Sequence, residues 1–232
     1  MESINTILNG GESTLMNNGI RRISYLPYKM EIALSVIDRI GKSIDPNFTI
    51  YLNSEVEEFY KELIRYFHAD PDFTGDLTKG ILLIGNTGTG KTLAMQIMAI
   101  YRQIDDTKFI FNNKVFRMNY DVIRVNDIVN DFLNNAFDGI QVYCIRYVLC
   151  LDDIGIESNK VVYYGNNLDV IAYILAERYA KRLLTFGTTN YKIDFLNDKY
   201  GDYIVSRIYT LFNFINTDGI KDFRIPEKKS KT

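Results

Sequence analysis

The sequence predicts an α/β fold, a parallel sheet flanked by helices, and three observations predict it. From Lys79 onward, short apolar runs alternate with amphipathic stretches, the pattern of strands joined by helical crossovers. The segment GNTGTGKT at 85–92 stands between one such run, Ile81-Leu82-Leu83-Ile84, and a helical stretch. A second run, Arg146 to Leu151, ends in Asp152-Asp153. Strands are expected near 81–84, 121–125, 146–151, 183–188 and 211–216, and helices near 90–103, 126–136, 166–181 and 201–210, so each strand is followed by a crossover of the length parallel pairing requires.

Upstream, the first ~25 residues are rich in Asn, Gly and Ser and read as a flexible leader. YKMEIALSVIDRIG then places Ile32, Val36, Ile37 and Ile40 on one helical face, with Gly41 available to end the helix. A second helix carries Val56, Phe59, Tyr60, Leu63, Ile64 and Phe67 at three- and four-residue steps, with Ser54 and Glu57 spaced as a capping box and Asp70-Pro71 as the stop. Residues 1–72 thus read as a small N-terminal helical region and 73–232 as the main domain.

Composition narrows the function. A hydrophobic content of 47% suits a packed core, and no apolar run approaches the ~20 residues that cross a bilayer, so a cytoplasmic protein without a membrane partner is expected. Cys144 and Cys150 lack the close pairing that holds zinc and are expected to be buried thiols. Lone His68 is expected at a helix end rather than on a metal. The net charge of −2 excludes a generally basic surface and leaves room for a local patch, for which Lys114, Arg117 and Arg124 are candidates.

GNTGTGKT fits G-x-x-x-x-G-K-[ST], and the chemistry explains the spacing. The loop Gly85, Asn86, Thr87, Gly88, Thr89, Gly90 turns its backbone N–H groups inward around phosphate oxygens, and the following helix adds its positive end. Lys91 reaches the β- and γ-phosphates and Thr92 offers a hydroxyl to magnesium, so ATP and Mg2+ are the expected ligands. A carboxylate at the C-terminal end of a neighbouring strand faces the same crevice. Asp152 is therefore assigned to magnesium, and Asp153 to orienting or deprotonating the attacking water, with Glu157 on the following loop as a substitute. Leu183 to Thr189 reads as a further strand ending at Asn190, whose amide can hold that water and touch the γ-phosphate.

A P-loop, an acidic strand, a strand ending in Thr-Asn and a later helical arginine together resemble the AAA+ ATPases over about 75–225. LCLDDIG at 149–155, ILAERY at 174–179, TTN at 188–190 and SRIYTLFNFINTDGIKDFR at 206–224 look most like the DnaC and IstB group of helicase loaders and transposition helpers. That resemblance implies a P-loop NTPase fold with an abbreviated lid, slow ATP hydrolysis that depends on self-assembly through the ATP site, residues 1–72 as a partner-docking element, and a replicative helicase and single-stranded DNA as partners in DNA replication. It makes Asn190 a sensor, Arg207 a finger reaching a neighbouring subunit's ATP, and Arg224 a second sensor. Asp153 departs from the Glu that many AAA+ proteins carry there, which puts the efficiency of hydrolysis in doubt. An IstB-like helper is the alternative within the group, and a P-loop kinase or a nucleotide-gated binding module the alternative outside it.

Overall fold

The computed structural model describes residues 21–22, 26–105, 108–111, 114–157, 161–163 and 165–220. In chain order the first elements are β1 (Arg21–Arg22), α1 (Met30–Ile44), α2 (Ser54–Phe67), β2 (Gly80–Ile84) and α3 (Lys91–Asp105). A hairpin of β3 (Lys108–Phe111) and β4 (Lys114–Arg117) follows, then β5 (Val122–Arg124), α4 (Val125–Ile145) and β6 (Val148–Asp152). A second hairpin, β7 (Val161–Tyr163) and β8 (Asn166–Leu168), leads into α5 (Val170–Ala180), β9 (Leu184–Thr189), α6 (Ile193–Tyr200), α7 (Asp202–Leu211) and β10 (Phe212–Asn216).

The main sheet has five parallel strands in the order β10-β2-β9-β6-β5. Its strands alternate between two apolar layers, because successive side chains leave opposite faces of a strand. Ile81 and Leu83 of β2, with Cys150 of β6 and Phe186 of β9, join the core beneath α1, α2 and α3. Leu82, Leu149 and Leu151 join the other core, beneath α4, α5, α6 and α7. The result is a sheet between two helical layers, as the alternation of runs predicts. Both cysteines are buried free thiols. Among the described residues no helix is long and apolar enough to cross a membrane.

The N-terminal helices belong to the first layer. Phe67 of α2 packs against Phe186 at 5.4 Å between ring centroids, and the Tyr66 hydroxyl donates to the Lys79 carbonyl at 2.8 Å, at the entrance to β2. Three local expectations need correction here. Gly41 does not end α1, which runs on to Ile44; instead, a Cβ at Gly41 would lie 2.0 Å from the Phe48 ring, so the glycine is there to let that ring pack. Ile32 is 59% exposed, and the buried stripe of α1 runs through Ala33, Leu34, Ile37 and Ile40. The α2 cap is Asn53, whose side chain accepts from the Val56 N–H at 2.9 Å, rather than Ser54. The six apolar α2 positions read from the sequence are all buried.

Elsewhere, the helix expected over 126–136 continues to Ile145 past a non-helical break at Ala136 (φ 51°). The helix expected from 166 starts at Val170, where the Asp169 side chain accepts from the Ala172 N–H at 3.0 Å, because 166–168 pairs with β7 instead. Neither hairpin nor α6 was expected. Arg21 and Arg22 pair with β3, and the remaining leader, the basic tail, Arg224 and any lid after Ile220 lie outside the described residues.

Arg178 of α5 is fully buried and joins three elements. Its guanidinium donates to the Tyr143 and Arg146 carbonyls at the end of α4 (2.7 and 2.9 Å), to the Leu184 carbonyl of β9 (2.7 Å) and to the Thr185 hydroxyl (2.9 Å). Carbonyls at a helix end have no partner within the helix, and a cation there also meets the negative end of its dipole. Burial pulls the Arg178 pKa down to about 9, which leaves it charged at neutral pH. Arg178→Ala strands these acceptors in an apolar layer and is expected to cost at least about 3 kcal/mol of stability, measured by urea unfolding; Arg178→Lys, with no planar fork to span them, is expected to recover little of it.

Candidate functional site

The C-terminal ends of β2, β6, β9 and β10 converge on one edge of the sheet, the crevice where open parallel sheets bind ligands. The loop from Gly85 to Gly90 leaves β2 there and enters α3 at Lys91. Gly88 and Gly90 have φ of 90° and 80°, a left-handed backbone that side-chain-bearing residues avoid and that turns successive N–H groups toward one point. Lys91 is 5% exposed, and its ammonium donates to the Gly85 and Asn86 carbonyls at 2.7 Å each and to the Thr89 hydroxyl at 3.3 Å. The loop is thus curled around its own lysine.

Asp152, at the end of β6, is 1% exposed, and its Oδ1 accepts from the Thr92 hydroxyl at 2.8 Å and from the Thr188 hydroxyl at 2.7 Å. Burial pushes the Asp152 carboxyl above the usual range, an effect that the two hydroxyls and Arg124 oppose and the Asp153 charge reinforces. Asp153 has φ 62°, its N–H donates to the Thr188 hydroxyl at 2.9 Å, and its Oδ1 accepts from the Asn190 amide at 3.0 Å. The residues read from three separate sequence segments, Lys91-Thr92, Asp152-Asp153 and Asn190, therefore meet at one site. The oxygen donors of Thr92 and Asp152 are those a hard cation such as magnesium takes.

Several participants escaped the sequence reading. Thr188 touches both acidic residues, yet a threonine in a strand reads as a β-former. Thr217 and Asp218, just past β10, brace the loop from outside: the Thr217 hydroxyl lies 2.8 Å from that of Thr89, and the Asp218 carboxylate accepts from the Asn86 N–H at 3.0 Å. Their only advance signal was a strand ending in small polar residues. Arg124 pairs in register with Asp152. Lys114 and Arg117 are exposed on β4, which belongs to the separate sheet β1-β3-β4. Arg207, on α7, donates to the Tyr203 carbonyl at 2.6 Å and lies over the Tyr203 and Tyr179 rings; among the described residues it makes no contact with the phosphate loop of its own chain.

His68 caps the end of α2 with its Nε2 2.8 Å from the Tyr101 hydroxyl, as a helix-end residue should. Glu157 does not stand in for Asp153. Its carboxylate is 4% exposed, accepts from the Tyr200 hydroxyl and from the Gly155 N–H at 3.0 Å, and lies 3.5 Å from the Lys199 ammonium, tying the loop after β6 to the end of α6. Burial pushes the Glu157 carboxyl up, with the Tyr200 hydrogen bond and the Lys199 charge opposing. The folded chain thus holds this proton more tightly than the unfolded chain, whose carboxyl titrates near ~4.3. That contribution to stability is complete below the unfolded value and lost as pH rises through the folded one. Glu157→Gln removes the titration, so the urea midpoint of wild type is expected to fall relative to the variant as pH rises from the unfolded value through the raised folded one; a pH-independent difference would exclude the effect.

No protein-family model matches the chain, and no curated protein matches its sequence. Solved structures match its fold. A proposed primosome component from Streptococcus pyogenes serotype M3 has a TM-score of 0.52 at 20% identity, covering 78% of this chain and 94% of that one. DnaI matches with a TM-score of 0.51 at 21% identity, covering 72% and 84%. The DnaC helicase loader matches with a TM-score of 0.51 at 23% identity, covering 73% and 92%. The chain therefore has a DnaC-like AAA+ fold.

Proposed function

We propose that this protein binds and hydrolyses ATP with magnesium, self-assembles through its ATP site, and acts as a DnaC-like loader that places a replicative helicase on single-stranded DNA. The observation that carries the reading is the junction of Thr92, Asp152 and Thr188 on one buried oxygen, which aligns the phosphate loop, the acidic strand end and the Asn190 strand end on a single crevice. The likeness of the fold to DnaC and DnaI supports the choice of client.

In this reading the loop N–H groups and Lys91 bind the triphosphate, Lys91 exchanging the Gly85 and Asn86 carbonyls for phosphate oxygens. Thr92 and Asp152 hold magnesium, which supplies positive charge against the phosphates. Asp153 accepts a proton from, or orients, the attacking water. Asn190 steadies Asp153 and offers its second amide hydrogen to the γ-phosphate or the water. Arg207, held by Tyr203 and Tyr179 and without a hydrogen bond to its own loop among the described residues, serves the site of a neighbouring copy, so ATP promotes assembly and its loss weakens the seam. Arg224 follows as a second sensor by resemblance. Docking of the client falls to the N-terminal region, where Ile32 on α1 and Tyr51 and Leu52 in the 3-10 turn between α1 and α2 are 59%, 56% and 51% exposed. A side chain one methylene shorter than Glu at 153 suits a slow switch better than a motor.

Lys91→Ala is expected to lose ATP binding, read by titration calorimetry; tight binding by that variant would remove the assigned phosphate contacts. Arg207→Ala is expected to bind ATP with little change and to lose on the order of 10³-fold in turnover. Mixing the two variants should restore part of the activity, since one seam then pairs an intact loop with an intact arginine. Specific activity should also rise with protein concentration or with added single-stranded DNA, and a flat response would favour a kinase-like enzyme.

A further inference from the structure

We propose that Tyr203 and Tyr179 are positioning residues for Arg207, stacking its guanidinium so that its edge is presented to the ATP site of a neighbouring copy of this chain. This rests on the trans role of Arg207 given above. The Arg207 Cζ lies 3.1 Å from the centroid of the Tyr203 ring, one helical turn earlier on α7, and 4.9 Å from that of the Tyr179 ring at the end of α5. Its Nη1 donates to the Tyr203 carbonyl at 2.6 Å. Two rings and one carbonyl, drawn from two helices, thus fix a side chain that would otherwise sample many rotamers at the surface.

The arrangement is poorly explained as a staple between α5 and α7. Those helices already meet through Ile171, Ile174 and Leu175 against Ile204, Val205 and Ile208, all buried. Tyr203 is 65% exposed and Tyr179 37%, so the rings contribute little to that core. What they do hold is the guanidinium, whose carbon lies over both rings. A planar guanidinium stacks through its faces and hydrogen-bonds through its edge, in perpendicular directions. Apart from the bond from Nη1, the Arg207 N–H groups carry no hydrogen bond among the described residues. Phosphate oxygens can therefore meet that edge while the rings stay in place, and the arginine arrives with its orientation already set.

The test uses the mixing assay, with one partner carrying the loop and the other donating the arginine. Arg207→Ala protein mixed with Lys91→Ala protein sets the reference turnover. When the donor also carries Tyr203→Ala and Tyr179→Ala, turnover at saturating donor is expected to fall about tenfold with the KM for ATP unchanged, a misplacement effect on the reacting groups alone. A donor with Phe at both positions keeps the stacking faces and should match the reference. If the Ala donor has a lowered urea midpoint, the donor carrying Tyr203→Ala alone, an exposed ring, decides the matter and should show a several-fold loss. Full activity with the Ala donors, or a loss that Phe does not restore, overturns the proposal while leaving the trans role standing. A dead reference mixture under conditions where wild type turns over ATP overturns the trans role itself, and the positioning role with it.

Discussion

The site depends on a buried carboxylate that must be held from more than one side. Asp152 ends a fully buried strand at 1% exposure, where a charge is costly unless it is hydrogen-bonded. Its Oδ1 is met by Thr92 from the first turn of α3 and by Thr188 from β9, so one oxygen sets the relative position of the phosphate loop and two strands. The same requirement fixes strand register. Cys150 lies in the layer beneath α3, and Asp152, two residues on, leaves β6 toward the same side; a slip of one residue would send the carboxylate to the opposite layer and leave both hydroxyls without it.

Much of this was legible because the signals were local. The central strands β2, β6 and β9 are buried almost throughout, and the apolar runs of β2 and β6 need no tertiary knowledge to recognise. GNTGTGKT carries its geometry in its glycines, and Asp152-Asp153 stands out as charge after a run of apolar residues. What stayed hidden depends on partners distant in sequence. Thr188 gains its role from Asp152, Thr217 from Thr89 and Asp218 from Asn86, across gaps that no periodicity reveals. Gly41 looked like a helix terminator because the ring it accommodates, Phe48, sits beyond the helix end. The short hairpins have too few residues to show alternation clearly. ILAERY served as a mark of resemblance only; its Arg178 turns out to be the pin that satisfies the end of α4 and the start of β9 together.

The same logic bears on the N-terminal helices. Leu63, Ile64 and Phe67 of α2 have no exposed area, and they share a core with Ile81 and Phe186 of the sheet. Separating α1 and α2 from the sheet would expose that whole layer, including the β2 strand that feeds the phosphate loop. A partner that meets these helices therefore meets their outer side, and any pull on them acts on the layer beneath β2 rather than on a tethered appendage.

Asp153 shows how backbone and side chain constrain each other at the reacting end. Its φ of 62° is a left-handed conformation that costs about 1–3 kcal/mol at an ordinary residue and is tolerated best by glycine, asparagine and aspartate, whose short polar groups bond locally. Here the chain must turn sharply after β6 so that the Asp153 N–H reaches Thr188, and that turn brings the carboxylate within 3.0 Å of the Asn190 amide. A longer glutamate would gain reach and lose the local fit that this turn favours. One amide hydrogen of Asn190 thus fixes the carboxylate that this turn presents.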